Sequence, residues 1–155
     1  MHRLGRSGAQ WVRIIVFAMA MSTSAALAQD VKPIAIGKSL VDPNIRIEVE
    51  ELKRTADGTV MLKFAVVNDT QRDLDNSFLG SNFLTDVHLV DLLNRKQYGV
   101  GMKTVVDTLS STFGGAKAKS RTEVWAIYGA PPQGVTKLTL VLPNFYPIDD
   151  VPLGN

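Results

Sequence analysis

The sequence predicts an all-β domain built as two antiparallel layers. Three observations predict it. Apolar residues alternate with polar ones in several short runs, as at Ile45, Ile47 and Val49 and again at Leu138, Leu140 and Leu142. Turn-forming stretches separate these runs, among them Asp57-Gly58, Asn94-Arg95-Lys96 and the segment "APPQG" at 130–134. No stretch sustains a 3.6-residue apolar period, so no long helix is expected to cover a sheet.

Ahead of the first strand lies a segment of another kind. Residues 1–28 open with Arg3, Arg6 and Arg13, pass through an apolar run from Ile14 to Met21, and close on Ala26-Leu27-Ala28. A basic start, a short apolar run and a small-residue end are the three parts of a secretory signal peptide, with cleavage expected after Ala28. A spanning helix needs roughly 20 mainly apolar residues, whereas this run dissolves at Ser22-Thr23-Ser24. The expected organisation is a signal peptide over 1–28, an N-terminal linker over 29–43, and one sandwich domain over 44–155. The mature protein is expected in the periplasm or secreted, with no stable membrane anchor.

Export changes the charge balance. The full chain of 155 residues carries a net charge of +2, but all fifteen acidic residues and only fourteen of the seventeen Lys and Arg lie beyond residue 28. The mature net charge is therefore −1, and no basic run interleaved with aromatics remains to bind nucleic acid. Cysteine is absent. That removes thiol nucleophiles, iron–sulfur ligation and thiolate zinc sites, while a domain of this size can fold without disulfides.

The elements follow in order. "NIRIEVEEL" puts Ile45, Ile47 and Val49 on one face and Arg46, Glu48 and Glu50 on the other, and its alternation slips at Glu50-Glu51, as a β-bulge does. Asp57-Gly58 then turns the chain into a partner strand. There Val60, Leu62, Phe64 and Val66 face the core, and Lys63 faces solvent, where its loss is expected to be neutral. Residues 68–78 are polar and turn-rich, a surface loop. "FLTDVHLVDLL" (83–93) reads as a strand, with a return strand from Gln97 after the turn at Asn94-Arg95-Lys96. Residues 107–120 read as a long loop around Gly114-Gly115. "RTEVWAIYG" (121–129) is bulky on both faces and is expected to be a central strand; "VTKLTLVLP" (135–143) alternates again. Two hairpins, a longer crossover and two late strands arrange as a Greek key. An immunoglobulin-like sandwich fits this best, with a small open β-barrel as the alternative.

The same runs carry a resemblance. Val90, Asp91, Lys96 and Tyr98, then Tyr128, Ala130, Pro131, Pro132, Val135, Thr136 and Pro143, then Pro147, Ile148, Asp150, Val151, Pro152 and Leu153 stand in a characteristic order. The pattern resembles bacterial extracellular immunoglobulin-like modules of poorly known function, in particular those preceding outer-membrane-protein-A-like peptidoglycan-binding domains. It spans roughly residues 45–153 and implies an envelope location and a binding role. The sequence departs from some such modules in lacking cysteine near 107–120, and no peptidoglycan-binding domain follows before Asn155.

Candidate chemistries are few. His88 is the one histidine outside the signal segment. In "TDVHLVD" it shares a strand face with Asp86, two residues away, but nothing marks a nucleophile elbow, and one histidine is too few for a zinc centre. "DTQRDLDNS" places Asp73, Asp75 and Ser77 at the alternate positions of an EF-hand, yet Phe78 and Leu84 occupy the glycine and closing-glutamate places. Asn68-Asp69-Thr70 is a formal glycosylation sequon. Catalytic, cofactor-binding and metal residues are thus all expected to be none. The reading is an exported non-catalytic sandwich that binds a protein, glycan or wall component of the cell envelope, without nucleic acid or cofactor. The alternative is a small exported hydrolase or metal-dependent effector using His88 and the loop acids. In the tail "VLPNFYPIDDVPLGN", prolines hold the chain extended and Phe145, Tyr146 and Ile148 are expected to pack as a lid across the sandwich, with a docking strand as the alternative. Asp149 and Asp150, adjacent on an extended chain, are expected to point to opposite sides and share no substrate.

Overall fold

The computed structural model describes residues 32–75, 78, 86–99 and 114–155. Among them eight strands form: β1 (Ala35–Lys38), β2 (Ile45–Arg54), β3 (Thr59–Asn68), β4 (His88–Asp91), β5 (Lys96–Tyr98), β6 (Ser120–Gly129), β7 (Lys137–Val141) and β8 (Ile148–Pro152). Sheet 1 has the order β1-β2-β3-β6 and sheet 2 the order β5-β4-β7-β8. All pairings are antiparallel. Lettering β2, β3 and β6 as A, B and E, and β5, β4, β7 and β8 as C′, C, F and G, gives the strand order of an immunoglobulin-like sandwich. Strand D has no counterpart among the described residues, and β1 lies beyond A. The sheets meet along one side in isolated pairs, Ser39 with Phe145 and Lys53 with Gly154. Among the described residues no continuous ladder closes them into a barrel.

Alternation builds the core as the sequence predicts. Ile45, Ile47 and Val49 of β2, Val60, Leu62, Phe64 and Val66 of β3, and Leu138 and Leu140 of β7 are all buried in one cluster. The slip in β2 is a bulge: Val49 pairs with Phe64 and Glu51 with Lys63, leaving Glu50 as the extra residue. Gly58, at φ 80°, makes the β2–β3 turn in the left-handed region that glycine enters without cost.

Several expectations are corrected. The stretch 29–43 is not all linker, because Ala35–Lys38 pair with Arg46–Val49 as β1. A four-residue strand with Ile36 exposed carries too little periodicity to be recognised locally. Its Gly37 is required by packing, since a Cβ there would sit 2.5 Å from Cδ1 of Ile148. The strand expected over 83–93 begins at His88 and ends at Asp91, with Leu92 and Leu93 in the turn; its first residues, 83–85, lie outside the described residues. Of the return strand only Lys96–Tyr98 is described, and Lys96 belongs to it rather than to the turn. β6, expected to be central, stands at the end of sheet 1 among the described residues. Its outer-face Trp125 is 43% exposed.

The tail is neither lid nor free docking strand. Residues 148–152 are β8, hydrogen-bonded along β7 as the last strand of sheet 2. Prolines are tolerated there because an edge strand has one unpaired side. Phe145 and Ile148 are buried as expected, whereas Tyr146 is exposed. A second bulge, opposite Thr139, changes the Asp149–Asp150 geometry. Asp150 adopts φ 56°, so Ile148 and Val151 both turn inward and both carboxylates stay exposed on the outside. Asp149 Oδ1 accepts a bond from Thr139 Oγ1 at 2.9 Å, and Asp150 pairs with Lys137 Nζ at 2.5 Å.

Candidate functional site

The outer face of sheet 1 gathers most of the charge that the structure organises. Alternation on β2 sends Arg46, Glu48 and Glu50 outward, and the bulge after Val49 returns Leu52 to the core. On β6, Arg121, Glu123 and Trp125 share the outward parity, because Val124, Ala126 and Tyr128 fill the core. The strand between them, β3, contributes small side chains at the matching levels. Ala65 lies between Glu48 and Glu123, and Val67 between Arg46 and Arg121. Low middle positions let long side chains from β2 and β6 meet across β3.

They meet as one ion-pair network. Arg121 bonds the Glu50 carboxylate, reaches Glu48 Oε2 at 3.4 Å, and pairs with Glu123 Oε1 at 3.1 Å. Lys63 Nζ lies 2.8 Å from Glu50 Oε2 and 3.3 Å from Glu123 Oε2. Arg46 closes the row on Glu48 at 2.8 Å and on Asp69. Glu50 is the anchor, with its side chain only 2% exposed. Burial raises its pKa, but bonds from Lys63 and Arg121 outweigh this and hold the carboxyl below its ordinary value. A general acid needs the opposite shift, so Glu50 is an ionised structural charge. Lys63 faces outward as expected but is paired with Glu50 and Glu123 rather than free.

This has a measurable consequence. Glu50→Gln should lower stability at neutral pH by about 1–2 kcal/mol, since charge-assisted bonds are lost while Lys63 and Arg121, each about a third exposed, keep other carboxylates. Because the folded pKa is depressed, the contribution of Glu50 is complete above the unfolded value of about 4.3 and disappears as pH falls through the lower folded value. Urea titrations at neutral and acid pH should show the gap between wild type and variant closing in acid.

Trp125 stands directly opposite Lys63 on this face, with half-buried Met61 and Ile127 at the next level. The result is an apolar platform bordering an internally neutralised charge row. Sequence reasoning missed it by reading β6 as covered on both faces. The signal was present, since Arg121 and Glu123 share parity with Trp125 and so mark its side as solvent-facing.

The residues singled out from sequence are placed elsewhere and apart. His88 lies on β4, paired with Val141, and its buried Nδ1 has no hydrogen-bond partner among the described residues. Asp86 is exposed in the preceding turn and does not orient the ring. Asp73 is occupied: Lys117 Nζ at 2.7 Å and the Ala118 N–H at 2.8 Å hold its carboxyl below the ordinary range. Asp75 accepts from the Phe78 N–H at 3.2 Å, and Ser77 lies outside the described residues. Among the described residues no group of three histidine or carboxylate side chains converges on a metal position.

Asn68 is fully buried, so the sequon offers no acceptor. Its Nδ2 donates toward the carbonyls of Arg72, Ala116 and Lys117 at 2.8, 3.2 and 2.9 Å, tying the 68–72 loop to the segment before β6. Pro131, Pro132, Thr136 and Leu153 are likewise structural. Arg54 donates to the carbonyls of Pro131 and Pro132 at 2.7 and 2.8 Å, and the Leu153 N–H donates to Thr136 O at 2.8 Å. Together they close one end of the sandwich. The chain matches no family model, no curated protein and no solved structure, so what this surface does has to follow from its own geometry.

Proposed function

We propose that this protein is an exported, non-catalytic β-sandwich that binds a protein, glycan or wall component of the bacterial cell envelope, in the periplasm or after secretion. The observation that carries the reading is the platform on sheet 1, where Trp125, 43% exposed, borders a row of mutually paired charges. A half-exposed indole on a rigid strand offers a large contact area at little entropic cost, and aromatic anchors of this kind dominate binding surfaces. The neighbouring charges already satisfy one another, so covering them does not strand an unpaired ion. The layout of residues 1–28 supports export, and the likeness to envelope modules supports the compartment.

The test is retention on isolated cell walls and on immobilised envelope extract. Wild-type chain should be retained, and Trp125→Ala should weaken retention about tenfold or more while leaving the melting temperature nearly unchanged. Equal retention of the two proteins would remove sheet 1 from the binding surface.

A further inference from the structure

The turn joining β4 to β5 exposes two adjacent leucines at its tip. Leu92 is 67% exposed and Leu93 89%, the highest value among the exposed large apolar residues described. Single exposed apolar residues are ordinary on a soluble domain, but a contiguous apolar tip marks a contact. The tip is held in place. Asp91, itself buried, accepts bonds from the side-chain amide of Asn94 at 2.6 Å and from its backbone N–H at 3.0 Å. Arg95 completes the turn at φ 53°.

Charge beside the leucines indicates what they meet. Arg95 and Lys96 are both exposed, and neither lies within ion-pair distance of a carboxylate among the described residues. Asp91 stands across the ladder from Lys96 and is bonded to Asn94, so Lys96 acts on it only through its field, and Asp150 beside the leucines is taken by Lys137. Many cations elsewhere are paired, as in the sheet 1 network and in Lys137 with Asp150, although exposed Lys38 has no carboxylate partner among the described residues either. An apolar tip followed, after Asn94, by two exposed cations outside ion-pair distance matches the layering of an anionic bilayer surface, hydrocarbon below phosphate. A protein partner would have to supply both an apolar pocket and a rim of carboxylates at that spacing.

The geometry points to the β4–β5 turn as a reversible contact with an anionic lipid surface, Leu92 and Leu93 entering the acyl boundary while Arg95 and Lys96 remain at the headgroups. This is a peripheral contact and not a spanning anchor. It lies on sheet 2 and goes beyond the binding platform proposed for sheet 1, so either can fail without the other.

Because the chain has no cysteine, a single introduced thiol can be labelled alone. Leu93→Cys carrying a polarity-sensitive dye reports the tip. Arg72→Cys, on the loop after β3, is the control position. With phosphatidylcholine vesicles containing about a third phosphatidylglycerol, the dye at position 93 should shift to the blue and brighten, and the dye at 72 should not. Adding Arg95→Asn and Lys96→Gln should weaken partitioning about tenfold or more, and pure phosphatidylcholine should bind correspondingly less. An unresponsive dye at 93 would overturn the proposal, as would equal binding to both vesicle types. A response at 93 to rising protein concentration without vesicles would also overturn it, making the tip a contact between copies.

Discussion

Deletion of residues 144–155 should abolish cooperative melting. The segment contains Phe145, Ile148, Val151 and Leu153, all buried, with Val151 at 0% exposure. At roughly 1.5–3 kcal/mol for each fully buried large apolar side chain, their loss approaches the whole stability of a typical domain, about 5–15 kcal/mol. The backbone loses partners as well. β8 is the ladder partner of β7, Tyr146 N–H donates to Lys38 O at 3.0 Å, and Arg54 N–H donates to Gly154 O at 2.9 Å. Without the tail, one edge of each sheet is stripped. Thermal melts should show a broad, non-cooperative transition and strong binding of dyes that report exposed apolar surface. The paired replacement Asp149→Asn with Asp150→Asn should cost less than about 1 kcal/mol, since Asn still accepts the Thr139 bond and tolerates the positive φ at 150. A truncated chain that melts like the full one would mean that β8 contributes nothing to the sandwich.

Phe64→Ala should cost about 3–5 kcal/mol, the combined transfer and cavity terms for a buried aromatic. Phe64 is fully buried and sits in register between Val49 and Val124, so the cavity would open at the centre of sheet 1 where both neighbours are held in their ladders. Lys63→Ala, one residue away and on the other face, should cost about 1–2 kcal/mol, because it removes the ammonium 2.8 Å from the buried Glu50 carboxylate. Denaturant titrations separate the two. Equal losses would mean the strand faces are assigned wrongly, and a neutral Lys63→Ala would mean that Arg121 alone holds Glu50.

Much of the fold was legible in the residues. Ile45, Ile47 and Val49 announced a half-buried strand, Asp57-Gly58 its turn, and the slip at Glu50 its bulge, because each depends on neighbours within a few positions. The candidate surface was less so. Glu50 and Arg121, bonded in the network, stand 71 positions apart, and no local pattern indicates that β3 will lie between them with small residues at the crossing levels. His88 and Asp73 drew attention because their residue types suggest chemistry. Folding instead left His88 Nδ1 without a partner among the described residues and gave the Asp73 carboxylate to Lys117.

The sequence by itself determined an antiparallel β-sandwich without cysteine chemistry, since alternation with period two and frequent turns allow a sheet to bury one face and little else. Only the tertiary structure decided which strands are neighbours. It made Ala35–Lys38 a strand, set β6 at the end of sheet 1 with Trp125 exposed, and turned the proline-rich tail into β8. The physical reason is that strand order rests on ladders and packing between distant segments. Gly37 admits Ile148, and Gly154 pairs with Lys53, contacts whose energy has no trace in either segment alone.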